Sequence, residues 1–403
     1  MRKINTRSFR LATRGTPREV NRQIVLNVIR EHQPISRADL ARRMKVARAS
    51  LTGIVRDLLL SGDVEETGTV AAARGRWPML LRVRTHGRLA LAVDVRPGRT
   101  SVALTDFGGK VLARETFETP SDPHELAGIL VLKLQAILHE RAAFDPDVES
   151  FRGIGIVVPG MVDRRSGKVL YAPRLGWRDV ALRDAIAEHT GLPVYVESAP
   201  IACAMAHLWS FDGKTRPVNN FAYVSVSDGV GVGIVNRGEV LRGENHTAGE
   251  LGHVSFDPHG PVCACGKRGC WEAFASNSAT IERYAATADG ARDGVPTIEA
   301  IVRRAKLGEP DAVRTLVQTG HHIGRGLAAV VSVFNPKRIY VGGELTAAWE
   351  LLEGPIREEL ATHTLTDATR ATPVFADPNP AEYRLLGAVA LVAAPSYAAP
   401  RFG

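Results

Sequence analysis

Three of the four cysteines, Cys263, Cys265 and Cys270, fall within one short run, and His253 stands ten residues ahead of the first. Three thiolates and an imidazole form a closed tetrahedral donor set, which is the chemistry of a structural zinc site. Gly266 and Gly269 lie between the cysteines and let the backbone turn tightly enough for neighbouring thiolates to face one ion. The C-x-C-x4-C spacing also admits free thiols or part of a disulfide, but the glycines and the nearby imidazole suit the tetrahedral site better. Glu250 and Glu272 flank the set, where the plain reading is a carboxylate supporting the metal ligands or a surface charge.

The pattern Glu250-x-Gly252-His253, then Cys263-x-Cys265-Gly266-x-x-Gly269-Cys270-x-Glu272, resembles the signature of the ROK family, which joins sugar kinases with sugar-responsive repressors. Acidic, imidazole and thiolate positions are all fixed in one run, so the match is specific. The resemblance implies that His253 is the fourth zinc ligand while facing a sugar site, and that Glu250 and Glu272 contact sugar hydroxyls. It also implies a two-lobed, actin-like (ribonuclease-H-like) α/β fold with a cleft between the lobes.

A sugar kinase needs a carboxylate to accept the proton of the attacked hydroxyl, and donors that hold the phosphates. The family's carboxylate is the Asp of an E-N-D-A run; here that run is Glu197-Ser198-Ala199-Pro200, and Ala199 takes no proton. Ser198 stands where an amide binds sugar, so that contact is weakened or redirected. The family's D-x-G-G-T phosphate turn is replaced by Asp94-Val95-Arg96-Pro97-Gly98-Arg99-Thr100, and its G-T-G turn by Ser227-Asp228-Gly229. A carboxylate at Asp228, beside the phosphate oxygens, would cost on the order of several kcal/mol. Gly342-Gly343-Glu344 keeps part of the adenosine-side pattern, which fold closure alone would explain. These departures, beside the intact Glu250, His253 and Glu272, point to a sensor that has lost kinase activity and has no catalytic residues.

The elements that must carry these groups occupy a chain of 403 residues, 45% hydrophobic, enough for two or three domains with their own cores. No apolar run reaches membrane-spanning length and no secretion signal opens the chain. With three cysteines committed to one site, the setting reads as a reducing cytoplasm, and Cys203 as a buried small apolar residue. The net charge is +8, but Met1–Arg84 alone holds 18 Lys+Arg against 7 Asp+Glu, and the remainder 33 against 36. The excess positive charge therefore lies in the first fifth of the chain, which points to a nucleic-acid partner there.

Residues 1–16 are basic and aperiodic, and read as a flexible arm. From 17 to 84 the pattern is three helices and a β-hairpin, a winged helix-turn-helix. Pro17 opens the first helix, Ser36 with Asp39 caps the second, Arg48–Leu60 is the third with Leu51, Ile54, Val55, Leu58 and Leu59 inward, and Gly62 closes it. The polar face of the third helix offers Arg48, Ser50, Thr52 and Arg56 for phosphates and base edges in a major groove. Arg74 and Arg76, in the turn between strands Val64–Glu66 and Met79–Val83, suit a minor groove. This unit resembles the amino-terminal domain of ROK-family repressors, which the family's sugar kinases lack.

From 88 to 403 the resemblance implies a sensing and oligomerisation domain with lobes at about 88–200 and 201–403, and the pattern gives their elements. The first opens with strands 88–94, 100–106 and 111–117, helix 125–142 and strand 153–158, and ends with helix 182–190 and strand 194–197. The second repeats the plan with strands 221–226, 231–236 and 239–241, then the cysteine loop, helices 278–284, 297–307 and 310–329, strand 338–341 and a closing helix 385–394. The implied function is a cytoplasmic, sugar-responsive transcriptional repressor of carbohydrate genes. It holds structural zinc, binds double-stranded operator DNA and a sugar or sugar-phosphate effector, and assembles as a homodimer or homotetramer. The alternatives are an active sugar kinase carrying a DNA-binding domain, and a DNA-binding protein whose large domain only oligomerises.

Overall fold

The computed structural model describes residues 18–69, 79–144, 151–209, 218–287, 296–377 and 380–397. Its amino-terminal elements are α1 (Arg18–His32), β1 (Ile35–Ser36), α2 (Arg37–Met44), α3 (Arg48–Leu60), β2 (Val64–Thr69) and β3 (Met79–Val83). Their ends follow local chemistry. The Ser36 hydroxyl accepts from the Asp39 backbone N–H at 3.1 Å, capping α2. Lys45, with φ 55°, stops α2, and Gly62, with φ +68°, follows α3. Leu40, Leu51, Val55 and Leu58 pack against Val25, Val28 and Ile29 of α1, with Ile54 and Leu59 partly buried at the margin. The three strands pair in the order β1-β3-β2. The basic arm and the Arg74–Arg76 turn lie outside the described residues.

The next segment supplies β4 (Leu89–Arg96), β5 (Arg99–Asp106), β6 (Val111–Phe117), α4 (Pro123–Phe144) and β7 (Ile154–Val158). There follow β8 (Met161–Asp163), β9 (Lys168–Ala172), β10 (Trp177–Val180), α5 (Leu182–Thr190), β11 (Val194–Ser198) and α6 (Ala199–Leu208). A five-stranded sheet runs β11-β7-β4-β5-β6, antiparallel across β4–β5–β6 and parallel across β4–β7–β11. Strands β8 to β10 form a separate small antiparallel sheet, an addition to the sequence reading.

The second half repeats this plan. It contains β12 (Phe221–Val226), β13 (Val230–Asn236), β14 (Glu239–Val240), α7 (Glu272–Ala275), α8 (Asn277–Ala285), α9 (Ile298–Lys306) and α10 (Pro310–Phe334). It closes with β15 (Ile339–Gly342), α11 (Trp349–His363), α12 (Asp367–Arg370), β16 (Val374–Ala376) and α13 (Pro380–Tyr397). Its sheet runs β14-β13-β12-β15-β16.

Helices α6 and α13 fill the space between the two sheets, and the backbone approaches there exclude side chains. A Cβ on Gly155 of β7 would lie 2.0 Å from the Ala388 carbonyl oxygen, and one on Gly233 of β13 would lie 2.2 Å from that of Pro200. The same two helices reach the amino-terminal unit. The Asn27 amide donates to the Tyr397 carbonyl at 2.8 Å, and the buried Arg30 guanidinium lies 4.8 Å from the Trp209 ring and 5.8 Å from the Tyr397 ring. Asp63 ties the join from the side, pairing with Arg22 of α1 and with Arg88 Nη2 at 2.6 Å. Cys203 on α6 is buried, and burial pushes its thiol up to about 12. Among the described residues no helix is long and apolar enough to cross a membrane.

Candidate functional site

The cysteine loop folds back after a single turn at Glu250–His253, and short bridges from Ser255 to Cys270 and from Val262 to Arg268 hold its two arms together. Gly269 is required at the crossing: it has φ +66°, and a Cβ there would meet the Asp257 carbonyl oxygen at 1.5 Å. The result gathers one donor atom each from His253, Cys263, Cys265 and Cys270 within 4.8 Å of one another. Cys265 Sγ lies 3.7 Å from Cys270 Sγ, and Cys263 Sγ lies 3.6 Å from His253 Nδ1. Zn–S bonds of about 2.3 Å and Zn–N bonds of about 2.0–2.1 Å give a tetrahedron with S···S edges of about 3.8 Å and S···N edges of about 3.6 Å. The spacing thus fits a four-coordinate ion. All four cysteines of the chain are free, so no disulfide forms here. Burial pushes the Cys263 and Cys270 thiols upward, so their ionisation favours a cation beside them.

Beside this cluster a cleft opens between the lobes, with about 740 Å³ of space continuous with solvent. Glu250, His253 and Glu272 line it, as do Ala199 and Pro200 at the start of α6. Glu272 is buried; its Oε2 accepts from the Val230 N–H at 3.0 Å, and its Oε1 lies 3.4 Å from Cys263 Sγ. The Glu250 carboxyl is pushed up to about 7, first by burial and then by the Glu272 charge. Ser198 is buried one residue behind Ala199, and only Ala199 and Pro200 of that run line the cleft. Glu197, also buried, accepts from the Ser198 N–H at 3.0 Å and pairs with Arg242 at 2.6 Å.

The turns that the resemblance assigns to nucleotide are bonded to one another. Asp94 holds Arg384 Nε at 2.5 Å through one oxygen and Arg96 Nε at 2.8 Å through the other. Arg96 Nη1 reaches across the cleft to Glu344 Oε1 at 2.8 Å. Glu344 Oε2 accepts from the Ser227 hydroxyl and from the Asn277 amide, both at 2.8 Å. Burial alone would raise the Asp94 and Glu344 carboxyls, but Arg384 and Arg96 at the first, and Asn277, Arg96 and Ser227 at the second, bring both below the ordinary range. Asp228 moves the other way: burial and then the Glu344 charge raise it, despite Arg174, Arg96 and Arg384 nearby. Sequence reasoning missed Arg174, Arg242 and Arg384, and no local signal marks them.

On the amino-terminal unit, Arg48, Ser50, Thr52 and Arg56 are all exposed on α3. The Thr52 hydroxyl donates to the Arg48 carbonyl at 3.1 Å. Arg43 and Lys45, beside the turn into α3, are exposed cations that the sequence reading did not single out, whereas Arg42 pairs with Asp39 at 2.7 Å.

Residues 90–394 match the ROK family. The chain is 30% identical to a putative xylose repressor from a Caldicellulosiruptor strain, covering 84% of this chain and 87% of that protein. It is also 30% identical to the DNA-binding transcriptional dual regulator NagC of Escherichia coli, covering 86% of each. Among solved structures, a ROK family transcriptional regulator described as a homologue of the E. coli MLC protein superposes with a TM-score of 0.78 at 29% identity, covering 95% of this chain and 97% of that one. A ROK family glucokinase from Streptomyces griseus, solved with glucose and AMPPNP, superposes with a TM-score of 0.63 at 25% identity; 98% of it covers 75% of this chain. With three quarters of its length matched to the family and repressors as relatives along most of it, the chain belongs to the ROK family.

Proposed function

We propose that this protein is a sugar-responsive, DNA-binding transcriptional regulator of carbohydrate genes, acting as a repressor without kinase activity. Residues 17–84 form its winged helix-turn-helix, with Arg48, Ser50, Thr52 and Arg56 of α3 in the major groove and Arg74 and Arg76 in the minor groove. Residues 88–403 form the sensing and oligomerisation domain. His253, Cys263, Cys265 and Cys270 hold a structural zinc ion, leaving His253 Nε2, with Glu250 and Glu272, for sugar hydroxyls.

One observation carries this reading: Glu250, His253 and Glu272 line the cleft while the three turns assigned to nucleotide are tied together through Asp94, Arg96, Ser227 and Glu344. Ala199 leaves no proton acceptor at the base position, and loss of a general base alone costs roughly 10²–10⁴ in rate. The glucokinase relative leaves a quarter of this chain unmatched while the regulator relative covers nearly all of it, which supports a regulator over a kinase. The test is a thermal-shift panel of free and phosphorylated sugars on the full chain, with an ATP-coupled turnover assay alongside. A sugar should raise Tm by mass action, and Glu272→Ala should abolish the rise, with no turnover for any sugar. ATP-dependent product formation would move the protein to the kinases, and no shift across the panel would leave the large domain an assembly module.

A further inference from the structure

We infer that the ligand of this cleft is an uncharged sugar, and that the Asp94–Arg96–Glu344 chain with Asp228 excludes its phosphorylated form. This rests on the sugar-binding reading above and narrows it to one chemical class.

A phosphate group on a sugar needs unspent donors, and preferably a cation with no carboxylate partner. Three arginines line the cleft: Arg96, Arg174 and Arg384. Two already have their charge matched by the protein's own carboxylates. Arg384 is bound by Asp94 and also donates to the Val95 carbonyl at 2.9 Å, and Arg96 is divided between Asp94 and Glu344. Two neutral donors, the Ser227 hydroxyl and the Asn277 amide, both point at Glu344. Two carboxylates of the protein thus stand in for the anion that kinase turns would cradle.

Arg174 is the remaining lining arginine, with its Nε buried and without a hydrogen-bond partner. It is outnumbered by two lining carboxylates, Asp228 and Glu272. The upward displacement of the Asp228 carboxyl, by burial and then by Glu344, agrees with a field that is already negative on this side. A dianion would have to break the internal pairs or sit against unpaired carboxylates, and like-charge juxtaposition of this kind costs several kcal/mol. A neutral polyol has neither requirement.

The experiment is titration calorimetry on the full-length protein with D-xylose, D-glucose and N-acetyl-D-glucosamine, each beside its terminal phosphate ester. The free form of the sugar that binds should bind at least about 100-fold more tightly than its ester. Glu344→Gln, which removes the negative charge paired with Arg96, should narrow that ratio at least about tenfold, and Asp228→Asn should narrow it in the same direction. Asp228→Asn serves as the independent check if Glu344→Gln does not fold. An ester that binds as tightly as the free sugar, or more tightly, overturns this inference and leaves the sugar-sensor reading standing. A ratio that neither variant changes overturns the assignment to these residues. Silence with every free and esterified sugar overturns the sugar-sensor reading and this inference with it.

Discussion

Arg48 and Arg56 project from α3 into solvent without a carboxylate partner among the described residues, so their charge is available to a phosphate backbone. Each phosphate contact contributes about 0.9 to the slope of log K against log salt on duplex DNA. Arg48→Ala should therefore weaken binding to specific and random duplexes alike and flatten the salt dependence by about one contact. An unchanged slope in fluorescence anisotropy would remove α3 from the DNA interface. The cysteine loop makes a separate claim at the same scale. Freshly purified protein should carry about one zinc ion per chain, and Cys265→Ser should lower both metal content and Tm. Metal analysis finding none in the wild type would leave the four donors a thiol cluster. The donors were legible in the sequence because three fall within eight residues and the fourth sits in a fixed motif. Arg384 was not, because its partner Asp94 lies 290 residues away and no local pattern links them.

Elements with strong local signals were readable in advance: the Ser36 cap, the Gly62 stop and the apolar stripe of α3 all act within a few residues. Those that depend on tertiary packing were not. β8, β9 and β10 have five residues or fewer and are only partly buried, so no alternation is long enough to show. α6 is apolar on nearly every face because sheets and helices surround it, and this erases the one-sided stripe that marks a surface helix. α11 carries Pro355 inside it, which reads as a breaker, while the helix is held by its packing on α10. Where elements meet, Asp63 supplies a prediction. Burial would raise its carboxyl, but hydrogen bonds from Ser61 and Arg88 and the Arg88 and Arg22 charges bring it below the ordinary range. A folded value below the unfolded one means that the pairing contributes stability above the ordinary carboxylate range and loses it as pH falls through the folded value. Asp63→Asn should cost about 1–3 kcal/mol at neutral pH, and the difference from wild type should shrink on acidification below about pH 4. A constant difference in chemical denaturation across that window would show that the Asp63 charge does not hold the join.

At the scale of the whole molecule, α6 and α13 each have one end in the cleft and the other against α1. α6 begins at the lining residues Ala199 and Pro200 and is followed by Trp209 under Arg30. α13 carries Arg384 in the cleft and, about 20 Å along its axis, Tyr397 against Asn27 and Arg30. A ligand that shifted one lobe against the other would therefore also move the helices on which the amino-terminal unit rests. Arg30→Ala should leave sugar binding and operator binding each measurable while bringing the ratio of operator affinities with and without sugar towards one. A ratio equal to that of the wild type would place the coupling elsewhere. The ion-pair chain in the cleft carries a further consequence, for the direction in which such a protein can change. A carboxylate placed at position 199 would meet turns already bonded to each other, with Arg96 and Arg384 committed to Asp94 and Glu344. Releasing those turns first would leave Arg96 and Arg384 buried without their partners, and removing one member of a buried pair costs about 3–5 kcal/mol. Each single step towards phosphoryl transfer is therefore either idle or destabilising.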